Sequence, residues 1–88
     1  MKIKKDYVLR QVADIYLVLP LGQATIDFNG MVKLNESGAF LWRQMEAGTT
    51  REVLADLLTA EYDVSREKAL TDIDAFVATL KSVGCIEE

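Results

Sequence analysis

The sequence predicts a small α+β domain with a winged-helix-like arrangement, in which an N-terminal three-stranded antiparallel sheet (the wing) precedes three helices. Two observations indicate this class. Before residue 34, apolar residues alternate or form short runs, as in strands, whereas after residue 35 they recur at spacings of three and four, as in helices. The change falls within Gly30 to Trp42, where a short strand leads directly into a helix. The 88 residues suffice for a single domain, 1–88.

Three segments have the pattern of strands. Tyr7 to Val12 alternates and is rich in strand-favouring residues. Ile15 to Leu19 is apolar on both faces, which predicts a central strand covered on both sides, and Pro20 ends it because proline has no amide to donate. Met31 to Leu34 is the last strand of the sheet. Residues 22–30 fit either a short extra strand or a packing arm, and the pattern leaves both open.

Polar caps mark the starts of the three helices. Asn35 is placed to cap a helix from Glu36 to Glu46, because its side-chain oxygen can accept a bond from an otherwise unpaired helix amide. Thr49 and a glutamate three residues later match a capping box for a second helix. Ser65 is placed to cap the third and longest helix, which Gly84 ends. Its apolar stripe comprises Ala69, Ile73, Phe76, Val77, Leu80 and Val83.

Composition disfavours several classes of function. The net charge of -4 is unsuited to a protein that gains affinity by neutralising phosphates. The chain has no histidine and a single cysteine, Cys85, so the sequence predicts no disulfide, zinc site or other cofactor, and no catalytic residue can be named. The N-terminus has no apolar signal core, and no run is long enough to span a membrane. We therefore expect a non-enzymatic cytoplasmic domain.

The chain resembles the PqqD family, named for coenzyme pyrroloquinoline quinone synthesis protein D. The resemblance covers nearly the whole chain, from Val8-Leu9-Arg10 through Tyr16 to Pro20 and on to Glu61-Tyr62-Asp63-Val64. Its most specific part is Leu34-Asn35-Glu36-Ser37-Gly38-Ala39 followed by Trp42. Threonine is usual in the family at the position of Ser37, and serine keeps the hydroxyl.

This resemblance implies a peptide-recognition domain. Such domains bind the leader of a ribosomally synthesised precursor peptide and present it to a modifying enzyme, often a radical S-adenosylmethionine enzyme. In the family, the leader adds as a strand beside the third strand and lies against the third helix. Carried onto this sequence, the peptide-binding residues would be Met31, Val32, Lys33 and Leu34 on the strand, with Leu70, Asp74, Val77 and Lys81 on the helix.

Two functions from other classes remain open. A winged-helix nucleic-acid-binding protein would use Arg66, Lys68 and Lys81, but acidic residues are interspersed among them. A self-associating structural subunit would pair the same strand edge between two copies, or exchange an N-terminal strand. We expect a monomer or a weak homodimer that binds neither nucleic acid nor membrane.

Overall fold

The computed structural model describes residues 1–22, Thr25 and residues 32–87, and it confirms the α+β class. The predictions for Met31 and for most of residues 22–30 lie outside the described residues. In chain order, the elements are β1 (Lys2–Ile3), β2 (Tyr7–Val12), β3 (Ile15–Pro20), β4 (Val32–Leu34), α1 (Glu36–Glu46), α2 (Arg51–Glu61), α3 (Arg66–Ser82) and β5 (Ile86–Glu87).

The predicted sheet is antiparallel, with the order β2-β3-β4. Strand β3 is central, as its apolar sequence predicts. Strand β4 pairs with β3, with Tyr16 opposite Leu34 and Val18 opposite Val32. Because it is the last strand in this order, β4 lies at one edge of the sheet. Its outer side has no partner among the described strands.

The two faces of this sheet differ, and the prediction that β3 is covered on both sides is wrong. Residues that pair across strands point to the same face. The inner face carries Val18 and Leu34, which are buried in the core. The opposite face carries Leu17, which is only half-buried, and Ile15, which is 40% exposed. The helices therefore cover one face of β3, and its other apolar face points away from the core.

Two of the three long helices begin at the predicted cap residues, Asn35 and Ser65. The Asn35 side chain accepts a hydrogen bond from the Gly38 amide at 2.8 Å, and the Ser65 hydroxyl accepts one from the Lys68 amide at 3.1 Å. The prediction for α2 is wrong by one residue, because Thr50 rather than Thr49 is its cap. The Thr49 backbone is held by Met1: the Thr49 amide donates to the Met1 carbonyl at 2.9 Å.

One hydrophobic core joins the sheet to the helices. Trp42 is fully buried and belongs to the same core cluster as other side chains with almost no exposure: Met45, Leu54, Ile73, Leu80 and Val18. Its place on the apolar face of α1 predicts this burial and predicts packing against strand residues such as Leu17 and against α3 near Phe76. Leu17, however, is on the outward face of β3, and Val18 is the residue on the core side.

A second, two-stranded sheet joins the ends of the chain and was not predicted. Strands β1 and β5 pair antiparallel, with Ile3 opposite Ile86, and both side chains are buried. Gly84 adopts a left-handed conformation (φ 79°) after α3, as predicted, and turns the chain towards this pairing. Within the described residues, no helix is both long and apolar enough to cross a membrane.

Candidate functional site

A groove runs beside the free edge of β4. It has a volume of about 470 Å³ and separates the strand from α3. We call it the strand-edge groove; its lining residues are Val32, Lys33, Leu34, Asn35, Gly38, Phe76 and Thr79. An edge strand with unpaired backbone groups next to an open groove can accept one further extended chain.

A larger cavity of about 680 Å³ continues the groove between the helices. Asn35, Gly38 and Phe76 line both spaces, so the two form one recess along α3. We call the larger space the interhelical cavity; its other lining residues are Glu36, Ser37, Leu41, Leu58, Tyr62, Val64, Lys68, Asp72 and Ala75. The recess thus combines an edge for backbone pairing with an apolar space for side chains.

Gly38 allows three elements to meet at the centre of this recess. A Cβ atom at this position would lie 3.1 Å from Oδ1 of Asn35, 3.3 Å from Cβ of Leu34 and 3.4 Å from Cε1 of Phe76. The first two distances are shorter than ordinary van der Waals contact. Glycine therefore brings the start of α1 close to both β4 and α3.

Two aromatic residues, Tyr62 and Phe76, line the interhelical cavity, and charged residues lie at its rim. The ring of Tyr62 meets that of Phe40 edge-on, with centroids 5.7 Å apart. Burial raises the pKa of the Tyr62 phenol, and the nearby carboxylates of Glu36 and Glu61 raise it further, so the hydroxyl stays protonated at neutral pH. At the rim, the Lys68 ammonium lies 3.4 Å from the Asp72 carboxylate.

The predicted strand residues lie at the groove, although they are not equally accessible. Val32 is half-buried, the Lys33 side chain is exposed, and Leu34 is buried in the core while it borders the groove. Met31 is outside the described residues. The peptide-binding role of these residues stays a prediction, but the structure does bring the three described ones together at a free edge.

The predicted helix residues lie elsewhere. Asp74, Val77 and Lys81 share one face, as their spacing predicts, but that face lines a separate cavity of about 300 Å³ together with Met1 and Arg51. We call this space the rear cavity. Leu70 is half-buried against the core and lines neither the groove nor the rear cavity.

Two of these helix residues already have structural roles. The Arg51 guanidinium donates to both carboxylate oxygens of Asp74, at 2.7 and 2.9 Å, and this hydrogen bonding lowers the pKa of Asp74. Val77 belongs to the hydrophobic core. The structure therefore does not bring the predicted helix residues together with the β4 edge.

Sequence reasoning missed the helix residues that do face β4, Phe76 and Thr79. The apolar stripe assigns Phe76 to the core, and this ring does pack against the core, but it is only half-buried and also borders the groove. The sequence offers one signal: Ala75 and Thr79 are four residues apart and share one side of α3, where both line the recess beside Phe76.

Cys85 has the environment of a small apolar residue, which its position between Gly84 and Ile86 predicts. Its side chain is fully buried, and burial raises the pKa of the thiol to about 11. The thiol therefore stays protonated at neutral pH. Among the described residues, no group of acidic, cysteine or histidine side chains is arranged to hold a metal ion.

Comparison with known proteins gives the class of this domain. The family described as Coenzyme PQQ synthesis protein D (PqqD) matches residues 16–86, so the chain belongs to the PqqD family. A search of curated proteins finds no match.

Two similar solved structures contain a bound peptide. The first, TbiB1 in complex with the TbiA(beta) leader peptide, is 26% identical to this chain with a TM-score of 0.73, over 99% of this chain and 100% of TbiB1. The second, lasso peptide synthetase B1 complexed with the leader peptide, is 25% identical with a TM-score of 0.77, over 99% of this chain and 96% of that protein. The similarity thus extends over the whole domain.

Proposed function

We propose that this chain is a peptide-recognition domain that binds the leader of a ribosomally synthesised precursor peptide. Its task is to present that peptide to a modifying enzyme, for which the family resemblance favours a radical S-adenosylmethionine enzyme. The domain would act as a non-catalytic adaptor in the cytoplasm, where such precursors are made. Family membership and the two similar leader-peptide complexes support this role.

One observation of this molecule supports the proposal above all others: the free edge of β4 borders a groove whose other wall is α3. The leader would pair with the backbone of the segment from Met31 to Leu34, which includes all of β4, and complete the ladder of the sheet. Backbone pairing supplies affinity with little demand on sequence, so side-chain contacts must supply selectivity.

The geometry favours Phe76 and Thr79 as the helix contacts of the peptide, in place of Leu70, Asp74, Val77 and Lys81. A peptide strand on the outer side of β4 would lie in the strand-edge groove, and side chains on one of its faces would meet Phe76. A larger apolar side chain next to the paired segment would find room in the interhelical cavity.

The nucleic-acid alternative receives no support from the placement of the basic residues. Arg66 forms an ion pair with Asp56, and Lys68 forms one with Asp72. Arg51 is likewise held by Asp74. Cations that are already neutralised by neighbouring carboxylates form a poor surface for phosphates.

Two adjacent substitutions on α3 test the proposal. Thr79 lines the strand-edge groove and Ala78 lines the rear cavity, and both side chains are exposed. We expect Thr79→Glu to weaken the binding of a labelled leader peptide by about tenfold or more, because it places a charge where an apolar peptide side chain packs. Ala78→Glu introduces the same charge on the same helical turn and should leave affinity unchanged in a fluorescence-polarisation titration.

The reverse result would contradict this placement. If Ala78→Glu abolished binding and Thr79→Glu did not, the peptide would lie on the face formed by Asp74, Val77 and Lys81. If wild-type protein bound no leader encoded near its gene, the proposed function itself would fail.

A further inference from the structure

The outward face of the main sheet forms a second surface, which shares only Lys33 with the proposed peptide site. The pairing register places its side chains in three cross-strand rows. Val12 pairs with Ile15 near the hairpin turn, Arg10, Leu17 and Lys33 form the middle row, and Val8 pairs with Leu19. We call this surface the outer sheet face, comprising Val8, Arg10, Val12, Ile15, Leu17, Leu19 and Lys33.

Most residues of this face are apolar, although the helices do not cover it. Val12 is 56% exposed and Ile15 is 40% exposed, while Val8, Leu17 and Leu19 are only half-buried. None of these five residues belongs to the hydrophobic core or packs against it within the described part of the chain. A contiguous apolar patch of this kind commonly marks a protein-binding surface.

The charges on this face indicate the chemistry of the partner surface that it can bind. Its charged members are Arg10 and Lys33, on the two strands that flank Leu17 in the middle row, and their backbones are about 10 Å apart at the usual strand spacing. Both are cations in a chain of net charge -4. The face is therefore complementary to a surface that combines apolar side chains with carboxylates.

The same charges disfavour a second copy of this chain as the partner. If two outer sheet faces packed together, the cations of one copy would approach those of the other, and like charges so placed are destabilising. An acidic partner would instead form ion pairs on both sides of Leu17.

We propose that the outer sheet face docks an acidic, apolar surface of the peptide-modifying enzyme; this inference rests on the proposed function, which supplies the enzyme as partner. The enzyme and the leader then bind different parts of the sheet. The leader pairs with the backbone edge of β4, while the enzyme covers the side chains of the outer sheet face on β2 and β3, together with Lys33 of β4. Both can be bound at once, as presentation of a peptide requires.

Charge reversal on this face tests the inference. The probe is the purified modifying enzyme encoded beside the gene of this chain, and affinity is measured by calorimetry for each variant of the full chain. We expect Arg10→Glu to weaken enzyme binding by about tenfold or more, since the new carboxylate faces the acidic partner. Arg66→Glu makes the same charge change on the helical side of the molecule and should alter affinity by less than about twofold.

A second matched pair tests the apolar component. Val12→Glu changes the most exposed apolar residue of the outer sheet face, whereas Val53→Glu changes an apolar residue of α2 that is 45% exposed. We expect only Val12→Glu to weaken enzyme binding. Neither substitution touches the core, and a leader-binding titration on each variant confirms that the peptide site remains folded.

The outcomes separate the two proposals. Weaker enzyme binding by Arg10→Glu and Val12→Glu, with leader affinity unchanged, would support the outer sheet face as the enzyme site. Equal enzyme affinity in all four variants, or no enzyme binding by the wild type, would overturn it while leader binding stands. Sedimentation showing a wild-type dimer that Arg10→Glu or Val12→Glu dissociates would also overturn it, because the face would then bind a second copy. Loss of leader binding in the wild type would instead refute the proposed function.

Discussion

At the scale of single residues, Asn35 joins the sheet to the helices. Its Oδ1 atom accepts a hydrogen bond from the Gly38 amide at 2.8 Å and another from the Ser37 hydroxyl at 3.1 Å. We expect Asn35→Ala to lower the free energy of unfolding by about 1 kcal/mol, the usual value for loss of a cap, as measured by urea denaturation. Asn35→Asp should be nearly neutral, since a carboxylate accepts the same two bonds. Equal losses in both variants would contradict the capping role.

Trp42 is the residue on which the core most depends. It is 0% exposed, and truncation to alanine would leave a large cavity. We expect Trp42→Ala to lower the free energy of unfolding by about 3–5 kcal/mol. The indole N–H has no hydrogen-bond partner among the described residues. Trp42→Phe therefore loses no such bond and should cost clearly less. A melting temperature of Trp42→Ala within a degree or two of the wild type would contradict burial of this helix face.

Cys85 provides a test of native packing by its reactivity. Burial raises the pKa of its thiol to about 11, so thiolate is scarce at pH 8 and increases only as the pH approaches that value. We expect slow labelling by a disulfide reagent at pH 8 in the native state and fast labelling in denaturant. Native labelling at the rate of an exposed cysteine would show that the contact between β5 and α3 opens readily.

At the scale of elements, β4 is the strand on which the proposed function depends. Its three residues pair with β3 on one side and, among the described strands, have no partner on the other. If the leader is held by main-chain bonds, we expect Lys33→Ala to change leader affinity by less than about twofold. Where the Val32 amide faces outward in the ladder, Val32→Pro should weaken binding strongly, because proline removes that amide and restricts the backbone of the edge strand. Retained cooperative unfolding of Val32→Pro would show that the domain still folds; unchanged leader affinity would contradict pairing at β4.

At the scale of the whole molecule, the order of the main elements could be predicted because local signals specify it. The change from strand to helical spacing and the caps Asn35 and Ser65 each depend on residues close in sequence. The pairing of β1 with β5 could not be predicted this way. Each of these strands is only two residues long, and the pairing places Ile3 opposite Ile86. These two residues are far apart in the sequence, so no local signal links them.

The candidate site could be predicted only in part for a related reason. The free edge of β4 follows from its place as the last strand of the sheet. Which face of α3 lies opposite depends on how α3 packs on α2, including the ion pair between Arg51 and Asp74. Phe76 and Val77 are adjacent in sequence but about 100° apart around the helix, so the rotation of α3 about its axis, which tertiary packing sets, decides which of them borders the groove.

The most direct test of the account is an amide-resolved NMR titration with the leader peptide encoded near the gene of this chain. If the leader pairs with β4 in the strand-edge groove, we expect saturable shifts at Val32, Lys33 and Leu34 on β4 and at Phe76 and Thr79 on α3. Smaller shifts are expected around the rear cavity. Saturable shifts confined to α1 and α2 would contradict the account, however tightly the peptide bound.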